Sequence, residues 1–431
     1  MTKRIGIIGG GQLGLMIAEA AHRQGAFVYA LDPSPDAPAF AECDGHIVAA
    51  YDDLTALEQL GDKTDVLTYE FENVPGDILR HLEGKYNIPQ GIAPLFDSQD
   101  RLREKNNARR HGLPVPDYIP LPACSADEDC AEVPEVSGQC GCDSACTRPM
   151  TDAERYEELK DAVKIIGMPC VLKTRRLGYD GHGQAVIREE KDIEKAADML
   201  RVPCILEAFV PFDYECSVIM VSDGEHTIHF PIGRNVHKSG ILDLCIVPAE
   251  TLYDGDGEVP TSLCTRIVNA CEHFMEGCGY KGILAIELFV KGNDFIFNEM
   301  APRPHNSGHY TIEGCTSSQY DELCWFLLGK PLEQPRLKAP VVMKNILGQD
   351  LESVWKIIDT ACAGHWQNPA LTPVSNTARR DNAYCGEAGE GVFVHIYGKT
   401  VSRPKRKMAH ITYVPMTLAR FEREWADKFV K

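Results

Sequence analysis

The chain opens with a short apolar run, RIGIIG (4–9), then a glycine turn, then LMIAEAAHRQG, whose apolar residues recur every three to four positions. AFVYALD, HIVAA and DVLTYEFE are further apolar runs, with the polar helical segment DDLTALEQLGDK between the last two. This rhythm of strand, turn and helix predicts a parallel α/β layer that ends near Ser98. RLREKNNARRHG (101–112) reads as a helix, and LPVPDYIPLP as a proline-rich connector. Hydrophobic periodicity then vanishes over about 123–151, a stretch of acidic, small and cysteine residues.

Order resumes at Ala153 with a helix through Ile166, the strand PCVLKTRR, a glycine loop, and QAVIRE. A helix at DIEKAADML and the strands CILEAFVP and YECSVIMVSD follow. TSLCTRIVNACEHFMEGCGY is an amphipathic helix stopping at Gly279. GILAIELFV and DFIFNEM pair across KGN as a hairpin, and SQYDELCWFLLG is a helix. The C-terminal part holds VVMKNILG, a Pro/Asn/Gly-rich stretch (365–391), and the strands VFVHIYG and HITYVPM around the basic KTVSRPKRK. No repeat unit recurs.

Composition narrows the function classes. With 431 residues and 44% apolar content, the chain suits a globular protein of roughly three domains. Its 63 Asp and Glu against 44 Lys and Arg give a formal charge of -19, which argues against nucleic acid or an anionic membrane as partner. A small anion remains compatible, because a few local cations suffice to bind one. No apolar stretch approaches ~18 residues, and the N-terminus lacks a signal-like core, so a cytoplasmic protein is expected. Seventeen cysteines in a chain of this length read mostly as reduced core residues, among them Cys170, Cys204, Cys216, Cys271 and Cys324.

Four stretches carry candidate chemistry. Gly9-Gly10-Gly11-Gln12-Leu13-Gly14 follows a strand, and Asp32 closes the next one, the context of a dinucleotide fingerprint. A ligand-free turn or another phosphate fits the same residues. Lys173 ends a strand and precedes a loop with Gly178, Gly181 and Gly183, suited to covering a phosphate chain. Glu287 shares a strand face with Ile283, Ala285 and Phe289, while alternation puts Glu299 with Phe295 and Phe297. The hairpin sets Glu287 opposite Asn298 or Glu299, and two such carboxylates suit Mg²⁺ with phosphates completing its shell. Cys124, Cys130, Cys140, Cys142 and Cys146 match no standard ligand spacing for Zn²⁺ or an iron–sulfur cluster, and a surface insertion without catalytic part is expected there.

A strand lysine, a glycine cover loop, an E-x-F-V strand and paired acidic strands, in that order, resemble the ATP-grasp superfamily. GGGQLG, YEFENVP (69–75), KTRRLGYDGHGQ (173–184), NVHKSGIL (235–242), NEMAPRPHNSGH (298–309) and YGK…RKMAH (397–410) together resemble the N5-carboxyaminoimidazole ribonucleotide synthetase family of purine biosynthesis. The likeness spans the chain except for about 123–151 and 360–390, and it sets aside the dinucleotide reading: in that family the glycine turn serves the ribonucleotide. It implies an α/β ATP-grasp fold with an N-terminal Rossmann-like domain (1–98). An ATP-grasp region (99–345, covering subdomain about 160–225) and a small β-rich C-terminal domain (346–431) would follow.

The resemblance further implies that ATP meets Arg101, Lys173, the loop Gly178, Tyr179, Asp180, Gly181, His182, Gly183 and Gln184, the segment Glu207, Ala208, Phe209 and Val210, and Glu215, His237 and Asn298. Glu287 and Glu299 would hold Mg²⁺. Aminoimidazole ribonucleotide would meet Gln12, Leu13, Glu72, Tyr179, Asp180, Arg303, His305, Asn306, Lys399 and Arg406. His182 stands where the family has Arg or Lys. The implied reaction carboxylates this ribonucleotide with bicarbonate and ATP by way of carboxyphosphate, with Arg303, Asp180 and His305 as catalytic candidates. A formate-using glycinamide ribonucleotide ligase, or a dehydrogenase using NAD(P), are the alternatives. A homodimer is usual in the resembled family.

Overall fold

The computed structural model describes residues 2–121, 150–178, 183–254, 259–352, 354, 383–385 and 391–424. The N-terminal layer is β1 (Arg4–Ile8), α1 (Gln12–Arg23), β2 (Phe27–Asp32), β3 (Gly45–Val48), α2 (Leu54–Lys63) and β4 (Val66–Tyr69). Its four strands are parallel in the order β3-β2-β1-β4. Strand order therefore reverses between β1 and β4, and ligand crevices of open α/β sheets form at such a point. Helices α3 (Gly76–Lys85), α4 (Ala93–Ser98) and α5 (Arg101–Arg110) lead out of this layer.

A second, antiparallel sheet runs β5 (Tyr118–Leu121), β8 (Cys204–Ala208), β6 (Cys170–Thr174), β7 (Gln184–Ile187), in that spatial order. Helices α6 (Asp152–Ile166) and α7 (Glu190–Ala197) cover it, burying Leu159, Val163, Ile193 and Leu206. Within the stretch expected to be a connector, Tyr118–Leu121 is a strand carrying Pro120 opposite Ile205. The ring is tolerated because β5 is an edge strand, where a missing N–H breaks no ladder on the open side.

The third sheet is the largest. It uses β9 (Tyr214–Ser222), β10 (Thr227–His229), β11 (Gly233–Lys238) and β12 (Ile241–Val247). After a short β13 (Tyr253–Asp254) and β14 (Val259–Pro260) pair and helix α8 (Ser262–Gly277), it gains the hairpin β15 (Gly282–Lys291) and β16 (Asp294–Ala301). Helices α9 (Thr311–Gly314) and α10 (Gln319–Leu328) precede β17 (Val341–Leu347), β18 (Ala383–Cys385), β19 (Gly391–Ile396), β20 (Lys407–Val414) and a closing helix Leu418–Glu424. The order is β16-β15-β9-β11-β12-β17-β20-β19-β18, with β10 on β9. The sheet runs unbroken through β17, so the boundary expected at 345 falls inside a strand. Helix α8 buries Ile267, Cys271 and Phe274 against one face, and α10 packs on the other through Leu323, with α1 laid against α10.

Candidate active site

The three sheets meet around a cavity of about 1010 Å³. Its wall joins the end of β1 (Gly11, Gln12, Leu13), the end of β4 (Glu70, Glu72), Arg101 and Gly178, the β15–β16 hairpin, and the basic segment from Lys399 to Lys407.

The glycine turn is filled by the protein itself. Gly10 N–H donates to Asp32 (2.8 Å) and Gly11 N–H to Glu70 (2.6 Å). Asp32 also accepts from Ser34 N–H and the Tyr51 hydroxyl. A Cβ at Gly9 or Gly11 would stand 2.6 or 2.7 Å from Glu70, so the glycines there make room for a carboxylate. A dinucleotide pyrophosphate finds these amides taken, and a ribose finds Asp32 engaged, which corrects the dinucleotide alternative. Burial pushes the Glu70 carboxyl up, although the Gly11 amide and Arg303 oppose it. The first-turn residues Gln12 and Leu13 face the cavity, and Lys399 Nζ donates to the Gln12 side chain and to the Lys407 carbonyl (2.7 Å).

Glu287 and Glu299 stand directly opposite each other across the hairpin. The register slips between Glu287 and Leu288: Glu287 pairs with Glu299, but Leu288 pairs with Phe297, leaving Asn298 as the extra residue of a β-bulge. Phe295 and Phe297 lie in the α8 core beside Leu288 and Val290, while Glu299 has turned onto the Glu287 face with its side chain 48% exposed. Strict alternation would have sent Glu299 into that core with the two phenylalanines. The bulge corrects the expected shared face and brings both carboxylates to the cavity.

Glu287 is 9% exposed; burial first, then the Glu299 charge, push its carboxyl up to about 7. Arg101 lies 3.8 Å from Glu299, and His305 Nε2 lies 3.7 Å from Glu287. Among the described residues no group of three or more His, Cys, Asp or Glu forms a closed metal cage. Two facing oxygen donors fit a hard cation whose remaining ligands come from water and polyphosphate. Nearby, Glu215 and His237 form an ion pair, and the pull of Glu215 and Glu287 outweighs burial to raise the imidazole above its ordinary range.

Beyond the prolines, Arg303 makes a two-pronged ion pair with Glu72 (3.0 and 3.2 Å), tying the large sheet to the N-terminal layer. His305 is fixed by Gln319, which accepts its N–H (2.9 Å) and donates to its carbonyl (2.8 Å). Ser307 N–H points at His305 Nδ1 (3.3 Å), so Nδ1 accepts and the ring proton sits on Nε2, toward Glu287. Burial, helped by Arg303, holds this imidazole well below its ordinary range, hence neutral at pH 7. Asn306 is 7% exposed, and neither Nδ2 nor Oδ1 has a partner among the described residues, which leaves an amide ready for a ligand. Arg406 lines the cavity mouth and donates to the Val401 carbonyl (2.6 Å).

The nucleotide side is an ion network. Lys173 and Lys105 flank one oxygen of buried Glu207 at 3.0 and 3.7 Å. Burial raises that carboxyl, but the two ammonium groups more than offset it and hold it below its ordinary range. Arg101 donates to the carbonyls of Thr174 (3.2 Å) and Gly178 (3.0 Å), pinning the start of the glycine loop. Gly183 closes that loop with a positive φ of 71°, and Gln184 opens β7. Phe209 N–H and Ala208 N–H bond to Pro169 and Asp117, setting the end of β8 and the Phe209–Val210 segment that follows it. Tyr179, Asp180, Gly181 and His182 lie outside the described residues, as do Cys124, Cys130, Cys140, Cys142 and Cys146.

Sequence reasoning passed over Glu70, Asp100, Glu104 and Lys105. Asp100 caps α5 and takes a two-pronged contact from Arg175 (2.9 and 2.7 Å). One signal was available: Arg101 and Lys105 stand four apart, on one helix face.

Compared with known proteins, the chain matches the ribonucleotide synthetase preATP-grasp domain over residues 1–94, the ATP-grasp domain over 144–320, and the phosphoribosylaminoimidazole carboxylase C-terminal domain over 341–424. It is 33% identical to the N5-carboxyaminoimidazole ribonucleotide synthase of Staphylococcus haemolyticus, with 99% of this chain and 96% of the relative covered. The Staphylococcus aureus N5-carboxyaminoimidazole synthetase complexed with ADP superposes with a TM-score of 0.80 at 31% identity, covering 99% of this chain and 97% of that one. The carboxyaminoimidazole ribonucleotide synthase of Aspergillus clavatus complexed with ATP gives 0.77 at 25% identity, covering 99% and 97%. The order of the three domains and the full-length likeness agree, and the chain belongs to the N5-carboxyaminoimidazole ribonucleotide synthase family of ATP-grasp enzymes.

Proposed function

We propose that this protein carboxylates 5-aminoimidazole ribonucleotide on its amine with bicarbonate, converting ATP to ADP and phosphate. The observation that carries the reading is one cavity shared by the Glu287–Glu299 pair, Arg303–His305 and the basic Lys399–Arg406 wall. Phosphate-binding cations and a carboxylate pair thus converge where an anionic acid and a ribonucleotide can meet.

Glu287 and Glu299 would hold Mg²⁺, which supplies charge neutralisation to the polyphosphate when bound. Lys173 and Arg101 orient the phosphates, and Glu207 to Val210, with Glu215 and His237, form the rest of the nucleotide seat. Bicarbonate oxygen attacks the γ-phosphorus, the bond to the ADP oxygen breaks, and Arg303 stabilises the charge on the carboxyphosphate. This intermediate releases CO₂ beside the amine, the C–N bond forms, and the phosphate set free is basic enough to take the amine's proton. His305, neutral and carrying its proton on Nε2, donates to the carboxylate as it forms. Gln12, Leu13, Glu72, Asn306, Lys399 and Arg406 seat the ribonucleotide, and a closed pocket keeps water from the intermediate. Cytoplasmic location and a homodimer complete the proposal.

The test is ADP release with ATP, Mg²⁺ and bicarbonate, with and without the ribonucleotide. A sharp stimulation by ribonucleotide and formation of the N-carboxylated product are expected. Formate serving better than bicarbonate, or product forming without ATP, refutes it.

A further inference from the structure

Among the described residues, the strand that carries Glu299 is the edge of the large sheet, so one side of its backbone has no neighbouring strand there. That open side coincides with the bulge at Asn298, and an unsupported bulge in an edge strand is free to slip. Helix α5 meets it there. Lys105, 1% exposed, donates to the Asn298 carbonyl (2.5 Å) and lies 3.5 Å from the Phe297 carbonyl, with its ammonium 5.0 Å from the Phe297 ring centre. Its neighbour Glu104, 2% exposed, accepts from Met300 N–H (2.6 Å). The Phe297 N–H is taken by the Pro114 carbonyl (2.7 Å) just beyond the same helix. The backbone is thus gripped on both sides of Glu299, one residue before it and one after.

We propose that Glu104 and Lys105 are positioning residues that clamp the bulge in register and so hold Glu299 opposite Glu287. Without the clamp, a one-residue slip returns Glu299 to the face of Phe297 and removes it from the cavity. Lys105 has a second contact, Glu207, whose carboxylate it shares with Lys173. The same ammonium therefore couples the metal-facing strand to the lysine of the nucleotide-covering sheet. Supporting residues of this kind typically change metal affinity by about 10- to 100-fold when removed. The inference rests on the reading of Glu287 and Glu299 as cation ligands.

The experiment measures Mn²⁺ affinity by electron paramagnetic resonance with saturating ADP, alongside metal-free ADP affinity by calorimetry. Glu104→Gln keeps the acceptor for Met300 N–H and should stay within about twofold of the unaltered protein. Glu104→Met removes the acceptor and should weaken Mn²⁺ by about tenfold or more, with metal-free ADP binding nearly unchanged. Lys105→Met should weaken Mn²⁺ at least as much; should it fail to fold, the two Glu104 variants still decide. Glu104→Met binding Mn²⁺ normally overturns the clamp. Glu104→Gln failing as badly as Glu104→Met also overturns it, because the charge rather than the acceptor would matter. If Glu299→Gln retains full Mn²⁺ affinity, the carboxylate-pair reading itself fails instead.

Discussion

His305 and His309 stand four residues apart in one motif, yet they serve two regions with opposite solutions to burial. Around His305 polar groups face a cavity: its Nε2 points to Glu287, and the Asn306 amide beside it has no partner among the described residues. His309 does not line that cavity. Its ring, fully buried, lies 4.6 Å from that of His410, which stacks on His395 at 4.4 Å and 8°. Tyr320 and Tyr397 hydroxyls meet His309 Nδ1 (2.9 Å) and His410 Nδ1 (3.0 Å), and Glu313 meets His395 (2.7 Å). The first region keeps hydrogen-bonding capacity open for ligands. The second spends it on joining the loop after β16 and helix α10 to β19 and β20. Two residues beyond Tyr397, Lys399 reaches Gln12, so the joint also places the cationic wall of the cavity.

The largest effect should come from Glu299→Gln, which keeps the shape and removes one charge from the carboxylate pair. Turnover should fall by ~10²-fold or more, the scale of one misplaced electrostatic group. Extra Mg²⁺ should restore part of it, and thermal stability should hardly move. A loss of stability with little loss of turnover would place Glu299 among the structural groups, on the His309 side of the divide.

His305→Asn should cost less. It leaves both carboxylates in place and removes the Nε2 donor, so ribonucleotide-stimulated turnover should drop by roughly 10- to 10²-fold, as for loss of one proton-handling or donor group. Mg-ATP should bind almost normally. Equal loss of ATP binding in the two variants would mean that the loop acts only as a scaffold.

The histidine joint should respond to acid. Burial, reinforced by the neighbouring His395, holds the His309 and His410 imidazoles well below their ordinary range. Their unfolded counterparts take up protons near pH ~6.5. The unfolded chain therefore binds more protons below that pH, and the stability these two rings contribute, full above ~6.5, drains as pH falls. The slope is up to ~1.4 kcal/mol per pH unit for each ring. His395 runs the other way: Glu313 outweighs burial to raise it, so its contribution is full below ~6.5 and fades as pH rises. Thermal unfolding between pH 7.5 and 5 should show the acid loss, and His410→Phe should make that limb shallower by about one proton. An unchanged slope would detach the stack from acid stability.

What could be read from the chain follows from which rules are local. Period and turn chemistry placed Lys173 at a strand end and put Glu287 and Glu299 on paired strands, because alternation and hairpin length are short-range. The bulge at Asn298 escaped, since one extra residue leaves no mark in composition and depends on Lys105, 193 residues away in sequence. RLREKNNARRHG reads as a helix with no sign of burial at Glu104 and Lys105, yet both are buried in it, because their partners are backbone atoms of a distant strand. The carboxylate in the glycine turn was hidden for a similar reason: Gly11 and Glu70 are 59 residues apart. His309 shares a motif with Arg303 and His305, and only the C-terminal strands reveal what it faces.

The smallest effect tests how the joint is wired. Burial raises the Tyr320 and Tyr397 hydroxyls well above their ordinary range, so both stay protonated and donate to the Nδ1 atoms of His309 and His410. Each neutral ring then carries its proton on Nε2, and those atoms have no partner among the described residues. Tyr320→Phe removes one donor from a fully buried acceptor while leaving the aromatic packing in place. Such an unsatisfied group costs about 1–3 kcal/mol, and the other ring nitrogen offers no partner to recover it. A net loss of ~1 kcal/mol in unfolding free energy is therefore expected, with turnover near normal at pH 7.5. The lost hydrogen bond should also show as a shift of the His309 Nδ1 nitrogen-15 resonance. A large fall in turnover with unchanged stability would move Tyr320 and His309 out of the joint and into the cavity's chemistry, erasing the difference between the two histidines.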